Sequence, residues 1–123
     1  MLTLAAGARV YLAVEPVDLR RGHDGLCALV RGQLALDPFN GHLFAFVGRR
    51  RDRIKILFWD RGGFVLYYKR LARGRFVLPR VAAGADRVVL DATQLAMLLG
   101  GFDPVDARRV AAWEPASRRA STP

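Results

Sequence analysis

Between residues 42 and 69 the chain alternates short apolar runs with breaks rich in charge and glycine. HLFAFV (42–47), RIKILFW (53–59) and FVLYYK (64–69) are dense in β-branched and aromatic residues. Phe39-Asn40-Gly41 precedes the first run, Gly48 to Asp52 separates the first two, and Asp60 to Gly63 separates the last two. Links this short join strands that turn back on their neighbours, so the spacing predicts a three-stranded antiparallel meander. RVYLAV (9–14) reads as a further strand, closed by Glu15-Pro16, and Arg87 to Leu90 as a small one. A short extension over 75–78 is expected after the Arg73-Gly74 turn.

The period changes in two other segments. Leu26, Leu29, Val30 and Leu34 recur at helical spacing, predicting a helix near 24–36 with Asp24 as its cap. Asp37-Pro38 is its expected end, because a residue before proline is pushed out of the α region. Asp91 and Gln94 have capping-box spacing, Leu95, Leu98 and Leu99 supply an apolar face, and Gly100-Gly101 a stop, giving a short helix near 92–99. The expected fold is α+β: one domain over residues 1–103 in which a small, mainly antiparallel sheet packs against two helices. Past Asp103, proline, alanine and serine become frequent among arginines, so residues 104–123 read as a flexible basic tail.

No apolar run in the 123 residues approaches the ~20 needed to span a membrane, and the first residues carry no basic-then-apolar leader. One cysteine and two separated histidines leave little for a disulfide scaffold or a transition-metal site. The expected setting is the cytoplasm, without a membrane partner and without a cofactor.

Charge changes the picture more. The net charge is +9, and residues 49–75 hold ten basic residues against Asp52 and Asp60, a local excess of +8. A field this concentrated attracts polyanions. Alternation places Arg53, Lys55, Leu57 and Trp59 on one face of their strand, and Ile54, Ile56, Phe58 and Asp60 on the other. In the next strand Val65, Tyr67 and Lys69 share a face. If the polar faces align, Lys55, Trp59, Tyr67 and Lys69 stand on one surface with the arginine turn at its edge. Cations there would neutralise phosphates and aromatic rings would stack on bases. The candidate nucleic-acid-binding residues are therefore Arg49, Arg50, Arg51, Arg53, Lys55, Trp59, Tyr67, Lys69, Arg70, Arg73 and Arg75. The same patch would also fit an acidic protein surface. The plainest alternative is a solvated hairpin with Trp59 in the core.

Catalytic patterns are weak. No glycine-rich loop runs into a Lys-Ser/Thr pair, so the phosphate-loop motif fails. Asp52 and Lys55 are three apart and fall on opposite strand faces, unlike the acid–lysine pair of a metal nuclease. His23 and Cys27 could share a helix face, but no orienting group accompanies them. Glu15, Asp18 and Asp24 are accounted for by turns and capping. Clustering of two or more of Asp18, Asp24, Asp52 and Asp60 in a cleft would favour a nuclease. The expectation is a protein that is not an enzyme.

Four motifs carry a resemblance: DLRRGHDGL (18–26), DPFNGHLFAFVGRRRDRIKILFWD (37–60), YYKRLARGRF (67–76) and LDATQLAMLLGGFD (90–103). In this order they resemble the Orf2-like accessory proteins, TnpB, of the insertion sequence 66 family of bacterial transposable elements. These are unrelated to the RNA-guided nucleases that share the name. The resemblance spans about residues 3–103. It implies a non-catalytic role in DNA transposition, beside the transposase of the same element and a helper protein encoded upstream. DNA at the element ends is the implied ligand of the basic meander, and the alternative is an adaptor that docks the transposase through the same patch. His23 stands where the family usually has an aromatic residue, and the tail after Asp103 carries no family pattern.

Overall fold

A computed structural model describes residues 6–102 and Pro104. In chain order the elements are β1 (Val10–Ala13), α1 (His23–Arg31), β2 (Leu43–Val47), β3 (Arg53–Asp60), β4 (Gly63–Arg70), β5 (Arg87–Leu90) and α2 (Ala92–Leu99). The five strands form one sheet in the order β4-β3-β2-β1-β5. β2, β3 and β4 make the expected antiparallel meander. β1 runs parallel to β2, reached through α1, and antiparallel to β5. The fold is α+β, with a mostly antiparallel open sheet and two helices.

Both faces of the sheet are covered, which explains why β2 lacks alternation: all five of its residues are buried. A strand covered on both faces reads as a continuous apolar run. Phe44 and Phe46 join Leu57 under α1, packed on Leu26, Cys27 and Val30. Leu43, Ala45 and Val47 join Ile54 and Ile56 on the opposite face, under Leu95 and Leu98 of α2 and the loop residue Phe76. Ile54, Ile56 and Phe58 share this face as strand alternation expects, and Phe58 packs against the same cluster, half-buried.

The helices differ at their ends. α2 has the expected capping box: the Asp91 carboxylate accepts from the Gln94 N–H at 2.8 Å, and the Gln94 side chain accepts from the Asp91 N–H at 2.9 Å. It stops at Gly100, as its sequence indicates. α1 starts instead from Gly22, with no side-chain cap, and Asp24 lies in the first turn. There its charge faces the positive helix end without capping it. α1 also ends early, at Gly32 rather than before Pro38. The Leu34 N–H returns to the Leu29 carbonyl and Leu36 to Val30, with Ala35 at φ 52°. Leu34 therefore reaches the core from this exit turn, which imitates helical spacing. Residues 75–78 form no strand, and the tail expected over 104–123 lies outside the described residues except for Pro104.

Candidate nucleic-acid interface

The C-terminal ends of β2 and β4 and the start of β3 meet at one end of the sheet. A turn closed by the Arg51 N–H on the Gly48 carbonyl carries Arg49, Arg50 and Arg51, with Arg51 at φ 61°. Arg53 opens β3 and is paired with Arg70, the last residue of β4. The chain then folds back on that turn: the Leu71 N–H donates to the Asp52 carbonyl and the Phe76 N–H to the Arg51 carbonyl, both at 2.7 Å. Between these anchors lie Arg73 and Arg75. Buried Phe76 pins the returning loop to the core. Seven expected arginines thus collect at one end from three stretches of chain.

The ion pairs among the described residues are Arg20–Asp18, Arg53–Asp52 and Arg87–Asp86. Arg49, Arg50, Arg51, Arg70, Arg73 and Arg75 are exposed and belong to none of them. Arg53 is held weakly, at 4.0 Å from Asp52, and its Nε is covered without a hydrogen-bond partner. The arginine end therefore keeps most of its charge for an external anion.

The other expected contacts are placed differently. Register pairs Lys55 with Tyr68, and Ile54 with Lys69. Lys55 and Trp59 therefore share the α1 face, whereas Tyr67 and Lys69 share the α2 face, so the four do not form one surface. Both lysines also serve the fold. Lys55 donates to the Arg21 carbonyl at 2.9 Å, and Lys69 to the Leu99 carbonyl at 2.8 Å. A cation on the last carbonyls of α2 also suits the negative end of its dipole. Tyr67 packs against the α2-side core.

Trp59 is neither in the main core nor beside the arginines. It is half-buried among Phe39 and Phe64, with ring centroids 5.0 and 5.1 Å away. Six steps along β3 at ~3.3 Å each put it roughly 20 Å from Arg53. Arg61, although inside the basic window, sits on the β3–β4 turn at that same far end. The exposed ring on the sheet is instead Tyr68, 51% accessible, with the Lys55 ammonium 5.3 Å from its centroid. Strand alternation alone ranks Tyr67 and Tyr68 equally; their faces follow from the register with β3.

The structure also joins a segment not expected at this end. The Val17 N–H donates to the Val47 carbonyl at 3.0 Å, bringing the β1–α1 loop against the β2–β3 turn. A cleft of about 500 Å³ lies between them, lined by Asp18, Leu19, Arg20, Gly48, Arg49, Arg50, Asp52 and Arg53 among others. It opens beyond the C-terminal ends of the parallel pair β1 and β2, the usual place for ligands in sheets with such crossovers. Arg20 holds Asp18 by both carboxylate oxygens, the shortest contact being 2.7 Å. This side-chain clamp, aided by the Arg20 backbone N–H, lowers the Asp18 pKa to about 2. Asp18 and Asp52 therefore do share a cleft, while Asp24 lies in α1 and Asp60 at the far end of β3. His23 is exposed, whereas Cys27 is buried and its pKa raised by desolvation, with no hydrogen bond joining the two. Among the described residues no group of three or more His, Cys, Asp or Glu is placed to hold a metal.

Fold and charge together define a small α+β domain that presents a cluster of mostly exposed arginines at one end of an antiparallel meander. The chain matches the family described as IS66 Orf2 like protein over residues 8–109, and it belongs to that family. Two uncharacterized proteins of Sinorhizobium fredii (strain NBRC 101917 / NGR234) are similar to it. y4jC is 38% identical over 103 residues, covering 84% of this chain and 86% of its own length. y4hO is 39% identical over 103 residues, covering 84% and 88%. No solved structure matches. Membership gives the protein an accessory role in the transposition of an insertion sequence. No helix among the described residues is long and apolar enough to cross a membrane.

Proposed function

We propose that this transposition accessory protein binds DNA through the arginine end of its sheet. The carrying observation is the convergence of Arg49 to Arg51, Arg53, Arg70, Arg73 and Arg75 by backbone pairing, six of them outside the ion pairs formed among the described residues. Such a surface gives affinity through phosphate neutralisation and counterion release, with little reading of sequence. The ligand in this reading is the DNA of the element ends, met in the cytoplasm, and the protein supplies binding without catalysis.

Binding to element-end DNA, followed by fluorescence anisotropy across salt concentrations, tests this. The logarithm of affinity should fall linearly with the logarithm of salt, at ~0.9 per phosphate engaged. A flat response, or no binding at low salt, refutes it. If the transposase or the upstream helper protein co-purifies with this chain after nuclease treatment while DNA binding is absent, the patch is a protein-docking surface instead.

The shared cleft of Asp18 and Asp52 supports a second reading, a metal-dependent nuclease. The Arg20 clamp on Asp18 argues against it, since a guanidinium already occupies both carboxylate oxygens. Cleavage of DNA in Mg²⁺ that disappears in Asp52→Asn would establish that activity.

A further inference from the structure

The β1–α1 loop adds something to the arginine end that a flat basic surface lacks: a concave site of about 500 Å³. That volume lies within the usual range of small-ligand pockets. We infer that this cleft seats the terminal phosphate of a nucleic-acid strand, between Arg20 on one wall and Arg49, Arg50 and Arg53 on the other. The inference rests on the nucleic-acid reading above and names the group bound there.

Three observations carry it. First, the charge fits. Four arginines and two aspartates line the cleft, leaving two positive charges in excess. A phosphomonoester carries about −1.5 to −2 at neutral pH, whereas a backbone phosphodiester carries one negative charge. Second, the guanidiniums are unequally engaged. Among the described residues Arg49 and Arg50 form no ion pair, and Arg53 has only the 4.0 Å contact with Asp52. Arg20 is clamped by Asp18 yet its side chain remains 92% accessible. Asp18 thus acts as a positioning residue, holding a cation at the rim without covering it. Forked guanidiniums match phosphate oxygens in a way that point-charge lysines do not. Third, the walls are fixed by the fold. Val17 is hydrogen-bonded to Val47, and Leu19 packs against Gly48, where an added Cβ would meet the Leu19 methyl at 3.4 Å. The two loops therefore face each other before any ligand arrives.

The test uses the full chain and short single-stranded oligonucleotides of one sequence, with and without a terminal phosphate at either end. Affinity should rise about tenfold with the phosphate, the worth of a hydrogen bond to a charged group. Arg20→Ala and Arg50→Ala should remove that advantage. Arg73→Ala with Arg75→Ala should weaken both oligonucleotides alike and keep it. Equal affinity with and without the phosphate, unchanged in Arg20→Ala, overturns the inference and leaves the broader DNA reading intact if binding remains salt-dependent. If neither oligonucleotide binds at low salt, the broader reading and a strand end both fail, and thymidine monophosphate decides the cleft. Amide shifts confined to residues 18–20 and 48–53 support a phosphate site fed by free nucleotide; no shifts overturn it.

Discussion

Phe76 ties the packing of the domain to its basic end, so Phe76→Ala tests both. The side chain is 2% exposed and packs in the cluster with Val47, Ile54, Ile56, Leu95 and Leu98. Removing a buried phenyl ring loses its transfer free energy and leaves a cavity, together costing about 3–5 kcal/mol. A domain of this size is stable by about 5–15 kcal/mol, so the variant gives up roughly a fifth or more of its margin. With a slope of about 1.5 kcal/mol per molar urea, the midpoint should fall by about 2–3 M with the slope unchanged. Far-ultraviolet circular dichroism in a urea titration measures this. The functional consequence is separate: the loop carrying Arg73 and Arg75 is anchored between Leu71 and Phe76. Under conditions where the variant remains folded, a loosened loop should reduce the salt dependence of DNA binding by about two phosphates. A stability loss below about 1 kcal/mol would refute the packing argument. A normal loss with an unchanged salt slope would refute the placement of Arg73 and Arg75 on the DNA.

Three further outcomes are expected. Asp18 should titrate at about 2 by carboxyl-carbon NMR, and Arg20→Ala should return it toward 3.8. Because the folded value is the lower one, the clamp contributes above the ordinary carboxylate range and is lost as pH falls through about 2; a wild-type midpoint near 3.8 would show that no clamp forms in solution. Arg61 is at φ 39° in the β3–β4 turn, so Arg61→Asn should stabilise the domain by about 0.5–1 kcal/mol, because asparagine tolerates the left-handed region; a loss of stability in urea would contradict the turn geometry. Trp59→Phe should leave DNA affinity within about twofold, because roughly 20 Å of strand separates this position from the arginine end; a tenfold loss would place the aromatic cluster in the interface.

Much of the fold was readable because its signals are local. Each meander strand is an apolar run closed by turn residues, and the Asp91–Gln94 box fits within four consecutive residues. The α1 boundaries were not readable in this way. Gly22 and Gly32 set them, while Leu34 returned to the core through a turn that preserved helical spacing. Of the site, the arginines were legible as a charge window, but Arg20 and Asp18 were not, because nearly thirty residues separate them from the β2–β3 turn.

The amino-acid sequence by itself determined the strand and helix content, the family, and the concentration of charge in one window, since these depend on neighbours along the chain. The tertiary structure decided which side chains share a surface. Asp60-Arg61-Gly62-Gly63 is compatible with loops of two or three residues. The two-residue loop pairs Asp60 with Gly63 and thereby Lys55 with Tyr68. A three-residue loop over Arg61, Gly62 and Gly63 would have set Lys55 opposite Lys69, an unfavourable meeting of like charges. Because side chains alternate with a period of two, that single residue moves Tyr67 and Lys69 to the opposite face from Lys55 and Trp59. The crossover through α1 then places β1 beside β2, brings Pro16 to Arg20 against the arginine turn, and forms the cleft.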